Sequence, residues 1–208
     1  MYARPALAGL LQTILALAYP LLVYFALGVV SARALGFALL ALIGLQLAIA
    51  APSSFAALSR VFGPLAGAIA LASLISLVWD DPLALLLTPA FVNAALFFTF
   101  ALSFRQSETV IEALARAQVG ELSAEERRYC RRVTAIWCGF LALNCAVSAG
   151  LAIGADRATW ALYCGFLAYL AMAGLFVAEF LYRHWRFRRY VGLPTDALLK
   201  RVFPPDSS

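Results

Sequence analysis

The stretch RQSETVIEALARAQVGELSAEERRYCRR, residues 105–132, decides the fold. It holds six arginines (105, 116, 127, 128, 131, 132) and five glutamates (108, 112, 121, 125, 126). Charged side chains at the centre of a bilayer are costly, so this run cannot sit in hydrocarbon. Nearly everything before it is apolar, and two more apolar spans follow it. Once this segment is assigned to one side of a membrane, the side of every other loop follows from it.

Composition explains why a membrane enters at all. The 208 residues are 64% hydrophobic and 13% charged, with a mean hydropathy of +0.88. Soluble domains carry about 45–50% apolar and about 25% charged residues. A soluble chain of 22.4 kDa has too little polar surface to cover that apolar content. The reading is an all-α, polytopic integral membrane protein.

The net charge of +5 gathers in residues 105–132 and in the C-terminal tail. That is how topology signals are distributed; a nucleic-acid partner calls instead for a basic stripe, so none is expected. The four cysteines (130, 138, 145, 164) form no CxxC pair, which argues against a disulfide framework and against a thiolate metal site. At the N-terminus, Arg4 and the small-x-small triplet Ala16-Leu17-Ala18 imitate a signal peptide. The apolar run continues to Val30, past a hydrophobic region of about 7–15 residues, and so predicts a retained first helix.

A span needs about 20 apolar residues. Six candidates fit: 6–30, 34–51, 61–79, 83–104, 133–154 and 159–182. They make residues 1–190 one transmembrane domain and leave 191–208 as a cytoplasmic tail. Pro20 should kink the first span. Gly63-x-x-x-Gly67 offers a close approach in the third. Asp80-Asp81-Pro82 makes a tight acidic turn before the fourth. With six spans, 14 of the 16 basic residues fall on one side, leaving Arg33 and Arg157 on the other beside Asp80, Asp81 and Asp156. The positive-inside rule then places both termini and residues 105–132 in the cytoplasm.

Within residues 105–132, Val110, Ile111, Leu114 and Ala117 fall near one helical face, and Glu112 and Arg116 stand at a favourable i, i+4 spacing. Gly120 ends that helix. It reads as an interfacial helix on the inner leaflet or as a binding surface for a soluble partner. Ser123-x-x-Glu126 is a capping box, so the next helix starts near Ala124.

The polar and small residues of the last two spans are the candidate site residues. Ala142, Ala146, Gly150 and Gly154 make a ridge of small residues at four-residue spacing, suited to close helix packing. Asn144 and Ser148 are expected beside it, as hydrogen-bonding glue or as part of a polar substrate site. Glu179 is the only acidic residue inside a span; with Arg183 four residues on, it reads as an ion pair at the lipid surface, or as a proton or ligand site. Asn93 is a further intramembrane polar residue. Arg131, Arg132, Arg186, Arg188 and Arg189 are placed to meet lipid headgroups, the last three interleaved with aromatics.

Catalytic groupings are hard to assemble. The one histidine, His184, has no evident acidic orienting partner, and no glycine-rich phosphate loop appears. No cofactor and no metal are expected.

Several local strings carry a resemblance. FALSFR (100–105), RRVTAIW (131–137), LALN (141–144), WALY (160–163), YRH (182–184) and LAYPLLVYFA (17–26) resemble the septation protein A-like (YciB/IspZ-type) bacterial inner-membrane proteins. They resemble more closely a group of small membrane proteins encoded beside aryl-polyene and fatty-acid-like synthesis genes. The first resemblance implies a part in envelope integrity and division through contacts with other inner-membrane proteins; membrane lipids and a second copy of the chain are the further partners expected. The second implies an accessory or carrier role for an acyl or aryl-polyene lipid. A Cys/His/His condensing site is not available to a chain with one histidine.

Overall fold

A computed structural model describes residues 19–49 and 67–187, except the side chains of 45–49. Among these residues the chain is helical, with turns and no strand. The elements in order are α1 (19–26), α2 (Ala32–Ile49), α3 (Gly67–Trp79), α4 (Leu83–Leu86), α5 (Thr88–Ser103), α6 (Val110–Val119), α7 (Ala124–Gly154), α8 (Arg157–Leu162), a π-helical turn (Tyr163–Leu167) and α9 (Ala168–Phe187). Two helices, Ala124–Gly154 and the continuous Arg157–Phe187, are long and apolar enough to cross a membrane by length and composition. They contain the expected spans 133–154 and 159–182. The start of the first span, residues 61–66 of the third with Gly63, and Arg4, Arg60, Arg188, Arg189 and the tail lie outside the described residues.

The fourth span departs from expectation. Residues 83–104 do not form one helix: the chain breaks at Leu87 into α4 and α5. Pro89 is the physical reason, because it has no N–H to give the carbonyl of Leu85 four residues back. That carbonyl accepts instead from the Tyr19 hydroxyl at 3.3 Å. The neighbouring carbonyl of Leu86 accepts from the Trp160 indole N–H at 3.0 Å. Tyr19 also donates to Thr88 Oγ1 at 3.0 Å, and Thr88 reaches the Ala84 carbonyl at 3.3 Å. Side chains from distant helices thus satisfy the break, as buried backbone polar groups require.

The chain divides into two compact units. The first holds residues up to Leu96 together with Leu141–Tyr169, and its core gathers Val23, Leu35, Leu85, Trp160 and Cys164. Its loop end is built from caps. Asp80 adopts φ 55°, a left-handed conformation that aspartate tolerates, and its Oδ1 accepts the Arg33 N–H at 2.8 Å. Ser31 Oγ accepts the Ala34 N–H at 3.2 Å, so two oxygens cap α2. Asp81 Oδ1 accepts the Leu83 N–H at 2.8 Å and starts α4. Asp156 caps α8 through the amides of Ala158 and Thr159; the Thr159 hydroxyl, with those amides, holds its carboxyl below the usual aspartate range. In the same unit α2 and α3 meet at Gly36, where an added Cβ would lie 2.6 Å from the Ser73 carbonyl oxygen. At Gly67 nothing described lies within 4 Å.

The second unit holds Phe97–Phe140 and the chain from Leu170 onward. Trp137, 6% exposed, packs with Phe176 at 4.6 Å between ring centres and with Phe140 at 5.7 Å. A smaller core of Ala115, Leu122 and Cys130 holds α6, with Ile111, Val119 and Tyr129 around it.

Candidate functional site

The polar side chains of the second unit begin with two capping boxes in tandem. The expected one is present: Ser123 N–H donates to Glu126 Oε2 at 2.7 Å, and Glu126 N–H donates to Ser123 Oγ at 3.2 Å. A second box, Thr109 with Glu112, starts α6. It takes the carboxylate that the spacing assigned to Arg116. Glu112 is buried, 5% exposed, and Arg116 pairs with Glu108 at 3.2 Å. The reciprocal backbone bonds of a capping box outcompete an exposed i, i+4 pair, which contributes only about 0.2–0.5 kcal/mol. The buried face of α6 therefore runs through Glu112 and Ala115, while Leu114, expected on the apolar face, is 55% exposed. Thr109 and Thr134, both fully buried, share a hydrogen bond of 3.1 Å, tying the start of α6 to α7.

Glu179 and Arg183 are brought together. Arg183 Nε lies 3.5 Å from Glu179 Oε1, with the carboxylate side chain 17% exposed. Tyr129, fifty residues away, places its hydroxyl 3.4 Å from the same oxygen, and its ring stacks on Tyr182 at 5.6 Å. The pair is thus a triad with a phenol donor, which spacing along one helix could not reveal. His184, one residue on, is buried with Nδ1 2.8 Å from the Phe180 carbonyl. Arg186 pairs with Glu125.

Asn144 is placed differently. It belongs to the first unit, is 4% exposed, and accepts the Tyr163 hydroxyl on Oδ1 at 2.8 Å. Tyr163 opens the π-helical turn, where Gly165 faces Leu21 with 3.3 Å to an added Cβ. Asn93 turns to its own helix, its Nδ2 donating to the Pro89 carbonyl at 2.7 Å. Asn144 and Ser148 do not flank the ridge of small residues. They are buried, while Ala142, Ala146, Gly150 and Gly154 are exposed, with nothing described within 4 Å of an added Cβ at Gly150 or Gly154. Helical geometry requires this, since Asn144 lies about 200° around α7 from Ala142.

At the loop end of the first unit, a recess of about 230 Å³ is lined by Leu27, Ser31, Asp80 and Arg157 among others. Both charges are engaged, Asp80 by the Arg33 amide and Arg157 by the Leu27 carbonyl at 3.2 Å. The four cysteines are free, and among the described residues no three of His, Cys, Asp and Glu gather as metal ligands.

Comparison with protein-family models, curated proteins and solved structures finds no match.

The triad makes one prediction. Glu179→Gln keeps an acceptor for Tyr129 but loses the charge facing Arg183, and lowers stability by about 1 kcal/mol. Combined with Tyr129→Phe in a double-mutant cycle, it gives a coupling of about 0.5–1.5 kcal/mol. Denaturant titration in micelles measures both. Strict additivity would mean that the phenol and the carboxylate do not interact.

Proposed function

We propose that this chain is a six-span protein of a bacterial inner membrane, with both termini and residues 105–132 in the cytoplasm. In this reading it serves envelope biogenesis or integrity through helix–helix and lipid contacts, without a reaction of its own. One observation carries the reading: the outward ridge of Ala142, Ala146, Gly150 and Gly154, which no described neighbour covers at Gly150 and Gly154. Small residues let a second helix bring its backbone close, and association inside a membrane depends on such packing. Support also comes from how the polar residues are used. Glu179, Asn144 and Asn93 each have a hydrogen-bond or ion-pair partner within the fold, which supports a packing role for them. Exposed Leu170, Phe176 and Val177 on α9 suit a hydrocarbon surrounding.

The test is the double variant Ala146→Leu, Gly150→Leu. It should insert and accumulate as the wild type does, yet fail to restore envelope integrity or division in a strain lacking the protein. The lipid extract of that strain should stay normal. Full restoration by the double variant would remove the ridge from the function. A missing acyl or polyene lipid in the extract would move the assignment to lipid handling.

A further inference from the structure

The described ion pairs are Arg116–Glu108, Arg183–Glu179 and Arg186–Glu125, and none engages Arg127, Arg128, Arg131 or Arg132. These four exposed arginines stand within six residues at the start of α7. On a helix they cover an arc of about 140°, one face. The acids on the same turns are committed: Glu125 to Arg186, and Glu126 to the amide of Ser123. Arg131 lies over the Phe104 ring with 5.5 Å to its centre, and Arg127 Nε donates to the Leu122 carbonyl at 3.3 Å.

We propose that this face binds an anionic glycerophospholipid, its phosphodiester held by Arg128, Arg131 and Arg132. The choice of lipid over an acidic soluble partner comes from depth. From Arg127 to Arg132 the helix rises about 7.5 Å. That matches the headgroup layer, about 5–8 Å thick on each side of the hydrocarbon. The apolar run begins at the next residue, Val133. On the same face one and two turns further, Ala135 and Gly139 are exposed, and nothing described lies within 4 Å of an added Cβ at Gly139. An acyl chain descending from the arginines can pass along these two small residues, with the exposed Ile136 and Leu143 as an apolar wall on one side. Phe104 holds the Arg131 guanidinium beside the interface by a cation–π contact. Arg186, expected to share this role, has its charge met by Glu125.

The full chain is reconstituted in vesicles of phosphatidylcholine alone, or of phosphatidylcholine and phosphatidylglycerol in equal parts, and its thermal unfolding is followed. The mixed vesicle should raise Tm, and the rise should shrink at high salt. It should vanish in the triple variant Arg128→Gln, Arg131→Gln, Arg132→Gln and persist in Arg186→Gln. Phosphatidylglycerol retained through detergent exchange gives a second readout. Its affinity should fall roughly a hundredfold in the triple variant, about fivefold per arginine. Because wild type alone is informative in retention, the outcome does not depend on how well the variant folds. Equal Tm in both vesicles with no preferential retention overturns the proposal. So does an equal rise in phosphatidylcholine on adding inorganic phosphate or polyglutamate, which would assign the face to a soluble anion or an acidic protein. The double variant Ala146→Leu, Gly150→Leu should keep the lipid-dependent rise, which separates this inference from the proposed function.

Discussion

Trp160→Ala lowers stability by about 3–5 kcal/mol, the usual cost of deleting a buried tryptophan. Trp160 is 1% exposed and sits in the core of the first unit with Val23, Leu35 and Leu85. Against a typical total of about 5–15 kcal/mol, this loss is a large fraction. Two contributions can be separated. Trp160→Phe keeps much of the packing but removes the donor to the Leu86 carbonyl, which then stands buried beside the chain break without that partner. That costs about 1–3 kcal/mol. Unfolding in micelles, followed by circular dichroism, gives the ordering wild type, Phe, Ala. A Phe variant as stable as wild type would show that the indole N–H contributes nothing to holding the break.

Gly36→Ala destabilises although alanine is the better helix former. The added Cβ would meet the Ser73 carbonyl oxygen at 2.6 Å and the Leu77 amide nitrogen at 3.2 Å. Both are backbone atoms and cannot rotate aside, so α2 and α3 must separate. Overpacking of this kind costs about 1–3 kcal/mol. Gly44 on the same helix is the control. Nothing described lies within 4 Å of its added Cβ, so Gly44→Ala should be neutral or gain about 0.5–1 kcal/mol from helix propensity. Two Gly→Ala changes on one helix therefore differ in sign, a contrast that thermal unfolding reads directly. The same sign for both would remove the close contact.

Among these residues the chain itself determined what rests on spacing. Apolar runs of about 20 residues marked the two helices that are long and apolar enough to cross a membrane. Ser123 and Glu126 bond each other's backbone across three residues, so the start of α7 at Ala124 was legible from four letters. Thr109 and Glu112 carry the same signature. It was obscured because Glu112 also stands four residues from Arg116, and spacing does not rank two claims on one carboxylate.

Tertiary structure decided everything that depends on which face of a helix meets which neighbour. Tyr129 and Glu179 are 50 residues apart, and Trp160 and the Leu86 carbonyl are 74 apart. Nothing local pairs them. Pro89 made a missing donor at Leu85 certain, but only packing could say that Tyr19 supplies the replacement. The glycine spacing at 63 and 67 pointed to one close approach, whose Gly63 lies outside the described residues. The close backbone contact between described helices is instead at Gly36, which no spacing marked. A glycine's lack of a side chain permits close packing wherever it occurs, while the partner backbone that uses it is fixed only when the helices are assembled.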